Sequence, residues 1–461
     1  MIGDSTRINK AAKMAAVAVA GITKLKLDLA KHIILPGDTK SLVYDFTVAK
    51  DGSGNFKTLQ AAIDAAPSGL TKPFKILIKN GKYKERVRIP ATKPFIQLIG
   101  ESVTNTIITF NSAAKDSVAG GRTLGTPGSS TFFVYAADFS AINITFENTF
   151  GDGSQAVAAS VYGDRSVFIH CRFLGNQDTL LTYKTGGTAT RQFYKDCYID
   201  GNVDFIFGNS VVIFDHCIIY AKTRTKAGSS YITAANTPAG QQYGYVFRNC
   251  ILPANTGFTS YFLGRPWQNS TGIGTIPKSH TKVVFINTIM SNSIRPEGWT
   301  KWDTATNTSL IYYGEYKSRY FNHSPVDTIK RVYWSRQLTD AEASSYTNSA
   351  LFGEWDPEIA LGVTADPNKD ITITNFHLQK DSLSLIFHWN VSWPIGMVTF
   401  QLYRSSGNDS KFKKLSKIIA SDDTTFNFQL QDKLPLGGES YYYLKASRKG
   451  YASQVSDTLR Y

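Results

Sequence analysis

At 461 residues, with 42% hydrophobic and 19% charged residues, the chain is long enough for two or three domains and a sizeable core. No run approaches the roughly 20 apolar residues that span a bilayer, which excludes a transmembrane helix. A formal net charge of +14 describes either a solvated Lys-rich surface or a surface matched to an acidic partner, such as nucleic acid, anionic lipid or a polyuronic acid; the absence of zinc-finger spacing, of a basic region with heptads and of an aromatic RNA-binding signature argues against nucleic acid.

In chain order, Arg7, Lys10 and Lys13 precede a short Ala-rich apolar stretch at 14–22, which continues into Lys24-Leu-Lys-Leu-Asp-Leu-Ala-Lys31. This reads better as an amphipathic helix than as a signal peptide. Residues 1–41 are therefore expected to form an N-terminal helical segment. With its Gly3-Asp-Ser-Thr tag, the segment resembles the C-terminal end of an SGNH-type acetylesterase, with Arg7 standing where such an enzyme carries its catalytic His. That resemblance implies a remnant of an upstream esterase domain with no chemistry of its own. Residues 58–67 predict a short helix stopped by Pro67, placed to cap whatever follows.

Residues 139–290 repeat themselves. Phe139-Ser-Ala-Ile-Asn143-Ile-Thr-Phe, Val167-Phe-Ile-His170-Cys171-Arg-Phe and Phe193-Tyr-Lys-Asp196-Cys197-Tyr-Ile share one form: a strand, a polar turn residue, a small buried residue and a second strand. Val212-Ile-Phe-Asp-His216-Cys217-Ile-Ile, Tyr245-Val-Phe-Arg-Asn249-Cys250-Ile-Leu and Val283-Val-Phe-Ile-Asn287-Thr288-Ile-Met continue the series. The turn residues are spaced 27, 26, 20, 33 and 38 residues apart. Unequal repeats around a constant strand-turn-strand core fit a right-handed parallel β-helix, whose coils differ only in their loops. Propeller blades and leucine-rich repeats require more regular patterns. The four cysteines then form one internal file, expected as buried thiols rather than disulfides. With no paired CxxC spacing, no structural zinc is expected.

Thr339-Asp-Ala-Glu342 is a capping box opening a second short helix, expected at the far end of the solenoid. The β-helix domain is thus predicted over 42–362. Beyond it, Ile371-Thr-Ile-Thr, Leu383-Ser-Leu-Ile-Phe-His-Trp389, Thr399-Phe-Gln-Leu-Tyr403 and Tyr441-Tyr-Tyr-Leu-Lys-Ala446 alternate as short strands. They predict a β-sandwich over 366–461 that resembles fibronectin type III. The fold class is all-β throughout.

The repeat places two acids together. Asp178 lies 7 residues after Cys171 and Asp204 lies 7 after Cys197, so one 26-residue coil separates them. Stacked strands sit about 4.8 Å apart, so the two carboxyls should face the same way at close range. Two carboxylates this close cannot both ionise freely, which splits them into an acid and an anion. Such a pair serves retaining glycoside hydrolysis, or ester hydrolysis when donors for an oxyanion are present. Gln177 beside Asp178, and Gln155 one coil earlier, carry suitable neutral donors.

Several motifs here belong together. Gly175-Asn-Gln177-Asp178-Thr-Leu180, Arg191-Gln-Phe-Tyr194, Gly201-Asn-Val-Asp204-Phe-Ile-Phe-Gly208 and Leu263-Gly-Arg265-Pro-Trp267 resemble the signatures of the pectin methylesterase family. Asp51-Gly-Ser-Gly-Asn-Phe56, Gly81-Lys-Tyr-Lys-Glu85 and Gln155-Ala-Val-Ala support them, in family order across about 48–300. The resemblance implies Asp204 as nucleophile toward the methyl ester and Asp178 as acid, then base. It implies Gln177 and Gln155 as the oxyanion hole, Arg265 as the group holding Asp204, and Trp267 with Phe207 against the sugar. No metal and no cofactor are implied; the partner is polymeric pectin, met by a secreted, periplasmic or cell-surface monomer. Leu181 stands where Tyr is common in the family and Asn202 where Thr is common, which bears on subsite preference. The segments 185–190 and 221–231 are expected to reshape the cleft. A related β-helix esterase on another acyl ester, and a non-catalytic sugar-binding β-helix, are the competing readings.

Overall fold

The computed structural model describes residues 43–357 and 373–461, apart from 185–188, 226–227, 256–259, 270–277, 323, 382–383, 392–397, 407–411, 421–426, 434, 436–438 and 448–453. The N-terminal segment 1–41, including Arg7, lies outside the described residues.

Seven turn residues share one backbone conformation. Asn143, His170, Asp196, His216, Asn249, Asn287 and Lys317 have φ between 50° and 57°, the left-handed region that Asn, Asp and His tolerate better than most side chains. The first six of them are the polar turn positions of the sequence repeat. Their N–H groups donate to the coil that follows: Asn143 to Ile169, His170 to Lys195, Asp196 to Asp215, His216 to Arg248, Asn249 to Ile286 and Asn287 to Tyr316, at 2.8–3.2 Å. The turn is therefore bonded to its successor as firmly as the strands are, and the corner repeats in register.

Three parallel sheets meet along these turns. The first holds eleven strands, from Phe46–Val48 to Ser335–Gln337, the second seven, from Val87–Ile89 to Tyr261–Pro266, and the third nine, from Gly81–Lys84 to Arg319–Tyr320. Consecutive strands of each sheet come from consecutive coils, as Arg191–Lys195 pairs Val211–Asp215 residue for residue. This is a parallel β-helix. Its interior is stacked along the axis: Phe168, Tyr194, Phe214, Phe247 and Phe285 follow one another with ring centroids 4.5–5.0 Å apart. Cys171, Cys197, Cys217 and Cys250 are free thiols buried beside them, each bonding backbone carbonyls at 3.3–3.5 Å. Burial pushes the Cys171 thiol up to about 12, so it stays protonated at neutral pH.

The helix Leu59–Ala65, N-capped by Thr58, lays Leu59, Ala62 and Ile63 into the same core and covers the first coil. The capping box at Thr339 and Glu342 also forms, opening the helix Asp340–Ser344. Its position differs from the expectation. Instead of plugging the far end, this segment and the helix Asn348–Phe352 run back over the outer face of the eleven-stranded sheet. There Tyr346 O accepts from Arg248 and Phe352 O accepts from Arg191. A capping box fixes where a helix starts, not where it docks. The far end is covered by Val326, Val332 and Trp334, with Trp334 5.9 Å from Tyr313.

The chain divides into two compact units, Lys40–Thr364 being one and Ala365–Tyr461 belonging to the other. In the second, Ile373–Asp381, Ser384–Val391 and Asn427–Asp432 form an antiparallel sheet, and Lys413–Ala420, Val398–Ser406, Ser440–Ser447 and two short strands form another. Trp389 and Phe428 of one pack with Phe400, Leu444 and Ala446 of the other.

One buried ion pair locks the segment that closes the β-helix. Arg331 binds Glu315 at 2.6 and 3.1 Å and donates to the carbonyls of Arg295 and Pro296, with both side chains 5% exposed or less. Removing one partner of such a pair leaves an uncompensated charge and costs about 3–5 kcal/mol. Arg331→Ala should lower the denaturant midpoint accordingly, and an unchanged midpoint would show that the pair does not hold the end closed.

Candidate active site

The acids meet because the coils stack without slippage. Gln177 bridges Val203 and Leu180 pairs with Ile206, so Asp178 stands level with Asp204, and Asp178 N–H donates to Val203 O at 3.0 Å. Both residues have positive φ, 63° and 48°, in the same left-handed region that Asp tolerates at the turns. At Asp204 the next coil slips: Val203 pairs with Tyr231 but Ile206 with Thr233, leaving a bulge. A bulge re-aims side chains. Phe205 goes into the core while Asp204 faces the opposite way. Gly201 is what permits this, since a Cβ there would lie 2.2 Å from the Cβ of Phe205. Gly208 ends the same strand at φ +125°, where a Cβ would meet Thr182 O at 1.9 Å.

On the outer face of the seven-stranded sheet lies a cleft of about 530 Å³. Asp204, Asp178, Gln177, Gln155, Arg265, Trp267 and Phe207 all line it, so every site residue expected from the sequence is brought to one place. The two glutamines are tied in series, with Gln155 O accepting from Ala114 N–H and Gln177 O from Ala156 N–H. Trp267 and Phe207 have ring centroids 6.3 Å apart and join Leu181, Val157 and Ala234 in an apolar floor.

The electrostatics divide the acids. Arg265 binds Asp204 through both guanidinium edges, at 2.9 Å to Oδ1 and 2.6 Å to Oδ2. Such bidentate charge-assisted pairs fix both distance and orientation. The guanidinium is held in turn between two rings, 4.0 Å from the centroid of Tyr231 and 4.1 Å from that of Trp302. Burial pushes Asp204 upward, while the bonds and charge of Arg265, with the charge of Arg224, oppose that rise. Asp178 is driven well above the usual carboxylate range, first by burial and then by the charge of Asp204, with Arg265 opposing at longer range. Asp178 therefore holds its proton to higher pH than Asp204 does.

Sequence reasoning missed Tyr231 and Arg224, which act on Arg265 and Asp204, and it missed the cleft-lining Trp302, Tyr162 and Tyr183. The last two carried a usable signal, because Tyr135, Tyr162 and Tyr183 each follow the paired positions Val134, Val161 and Thr182. Trp302 and Tyr231 come from segments with no repeat signature. Asn202 turns out to be fully buried and to donate to Asp152, which also accepts from Thr225 N–H. It ties two loops together rather than touching the cleft. Leu181 does lie in the floor.

A β-helix presenting a split pair of buried carboxyls beside neutral amides is the frame of a carboxylic ester hydrolase. The comparisons agree. The pectinesterase family model matches residues 45–354. Pectinesterase 31 of Arabidopsis thaliana is 38% identical over 317 residues, 68% of this chain and 92% of that protein. A longer relative, putative pectinesterase/pectinesterase inhibitor 45 of the same plant, is 36% identical, with the match covering 76% of this chain and 56% of that protein. The solved pectin methylesterase from carrot is 32% identical, with a TM-score of 0.61, covering 69% of this chain and 96% of that one. The chain belongs to the pectinesterase family.

Because the folded-state pKa of Asp178 lies above the unfolded value of about 3.9, its carboxyl is harmless below that value and destabilises increasingly as pH rises toward the folded one. Asp178→Asn removes the ionisation. It should raise the thermal midpoint more at pH 7 than at pH 4, and an equal change at both would mean that Asp178 does not carry a raised pKa.

Proposed function

We propose that this pectinesterase hydrolyses the methyl esters of polygalacturonate to pectate and methanol, using Asp204 as nucleophile and Asp178 as acid and base. The observation that carries this reading is the division of labour between the two acids: one carboxyl clamped by Arg265, the other kept protonated beside it.

A carboxylate Oδ of Asp204 attacks the ester carbonyl carbon. The carbonyl oxygen becomes an oxyanion, stabilised by the side-chain amide N–H groups of Gln155 and Gln177. The tetrahedral intermediate collapses by breaking the C–O bond to the methoxy group, which takes the proton of Asp178 and leaves as methanol. An anhydride between Asp204 and the galacturonyl carboxyl remains. Asp178, now ionised, accepts a proton from water as the oxygen of that water attacks the galacturonyl carbon. The second intermediate expels the Asp204 carboxylate, which returns to Arg265, and Asp178 is protonated again. Trp267 and Phe207 pack against the sugar.

Neutral amides suit this sequence because the ground-state ester is uncharged and charge develops only in the transition state. The net charge of +14 suits a product that is a polyanion. Outside the catalytic domain, the antiparallel pair of sheets supports a fibronectin type III-like sandwich acting as spacer or surface-binding module. A polymeric cell-wall substrate fits a secreted monomer. Among the described residues no helix is long and apolar enough to cross a membrane.

Methanol release from methylated pectin tests the chemistry. Asp204→Ala should abolish it, and Gln177→Ala should lower kcat by about 10²–10³-fold, the usual effect of losing one oxyanion donor. Undiminished release after Asp204→Ala, or new reducing ends in place of methanol, would overturn the mechanism.

A further inference from the structure

The sheet face that carries the cleft extends beyond it. The outward-facing positions of the seven-stranded sheet form one continuous paired row, Arg88, Phe133, Ser160, Leu181, Phe207, Ala234 and Arg265. Arg265 closes one end of the row on Asp204. Arg88 stands at the other end, three coils before Leu181, about 14 Å away at the usual strand spacing.

Arg88 is exposed, yet its guanidinium is fixed. It lies 4.0 Å over the ring of Phe133 and donates to the hydroxyl of Tyr135 at 3.3 Å. No carboxylate lies within ion-pair distance of it among the described residues, unlike Arg265, Arg191 and Arg331. Beside the row runs a second one, in which Tyr135 stacks on Tyr162 at 5.0 Å and 9°, and Tyr162 meets Tyr183 at 6.2 Å. Tyr162 and Tyr183 already line the catalytic cleft. Stacked on Tyr162, Tyr135 continues this line of tyrosines to Arg88. Tyrosine rings and hydroxyls leading to a cation suit a polyhydroxylated chain that carries a negative charge at one point.

We propose that Arg88, with Tyr135, forms a distal subsite that binds the free carboxylate of an already de-esterified galacturonate. The proposal rests on the pectinesterase reading above and specifies which substrate that site prefers: a chain with a demethylated stretch lying over the coils before the one that carries Asp178. Arg88 is a specificity residue, remote from the reacting atoms. A planar guanidinium held over an aromatic ring can present two parallel N–H groups to a carboxylate, a geometry that an ammonium does not reproduce. A methyl ester at that position offers the same guanidinium only an uncharged carbonyl oxygen, without the ion-pair attraction or a second anionic oxygen.

The test compares Arg88→Gln, Arg88→Lys and wild type on two substrates, fully methylated pectin and partly de-esterified pectin, measuring methanol release. On the partly de-esterified polymer, Arg88→Gln should raise KM by about 5–10-fold with kcat unchanged, and raised salt should weaken wild-type KM more than that of the variant. Arg88→Lys should recover only part of the loss. On fully methylated pectin the variants and wild type should have the same KM. Equal KM shifts on both substrates, or none on either, would overturn the subsite. A loss of kcat alone on both would point instead to a structural role for the Arg88–Phe133 stack. Failure of wild type to release methanol would contradict the pectinesterase reading itself, a result distinct from all of these.

Discussion

The constraint on which the molecule depends is the constant rise from one coil to the next. A parallel β-helix holds that rise only if its corners repeat as faithfully as its strands. Here the corner is a single left-handed residue that donates to the coil after it. A one-residue slip in such a stack would exchange core and solvent faces along a whole strand. Because no slip occurs between Gln177–Leu180 and Val203–Ile206, two aspartates 26 residues apart in sequence stand level. The aspartate pair is thus a property of the stacking before it is a property of any loop.

That closeness is unfavourable in itself. Two buried carboxyls repel one another and lose hydration, and neither effect is relieved by the β-helix core. The relief comes from outside the pair, and it is asymmetric. Arg265 lies one coil beyond the slip and reaches back to Asp204 alone, so one acid is given a counter-charge and the other is left to keep its proton. Tyr231 and Trp302 then prevent the guanidinium from turning away. The bulge at Asp204 belongs to the same solution. Without the extra residue, the neighbours Phe205 and Ile206 would follow the pleat to opposite faces; with it both enter the core, and Asp204 and Phe207 are left on the cleft side.

The strands, the order of the coils and the meeting of Asp178 with Asp204 were legible in the sequence because each follows from a spacing that repeats. The small residues after each turn, Cys171, Cys197, Cys217 and Cys250, mark the register directly. Arg265 and the glutamines were legible through motif resemblance, since spacing alone left glycosidase and esterase chemistry both open. What stayed hidden has a common physical origin. Trp302 reaches the cleft, and Arg224 acts on Asp204 by its charge, from segments outside the strands of the repeat; Tyr231 lies in the strand Ser230–Ala235, whose sequence lacks the strand-turn-strand signature. Asn202 was misplaced for the converse reason: its near neighbour Asp204 lines the cleft, but its own side chain is turned to Asp152. The helices after Thr339 show the same limit, because local capping signals carry no information about docking.

The placement of the site on an outer face, instead of within the solenoid, follows from how the two surfaces are used. Inside, every coil must offer a side chain of nearly the same size at the same level, as the phenylalanine and tyrosine stack does, so a change at one coil propagates to its neighbours. Outside, successive coils meet solvent, and each can carry a different group at the shared level without disturbing the stack. The row Arg88, Phe133, Ser160, Leu181, Phe207, Ala234 and Arg265 shows this, with a different group at one position per coil. The regular interior acts as a ruler and the variable exterior as the text read against it. A substrate that is itself a linear chain is well matched by such a surface, because its recognition can be distributed over coils while its chemistry is confined to two of them.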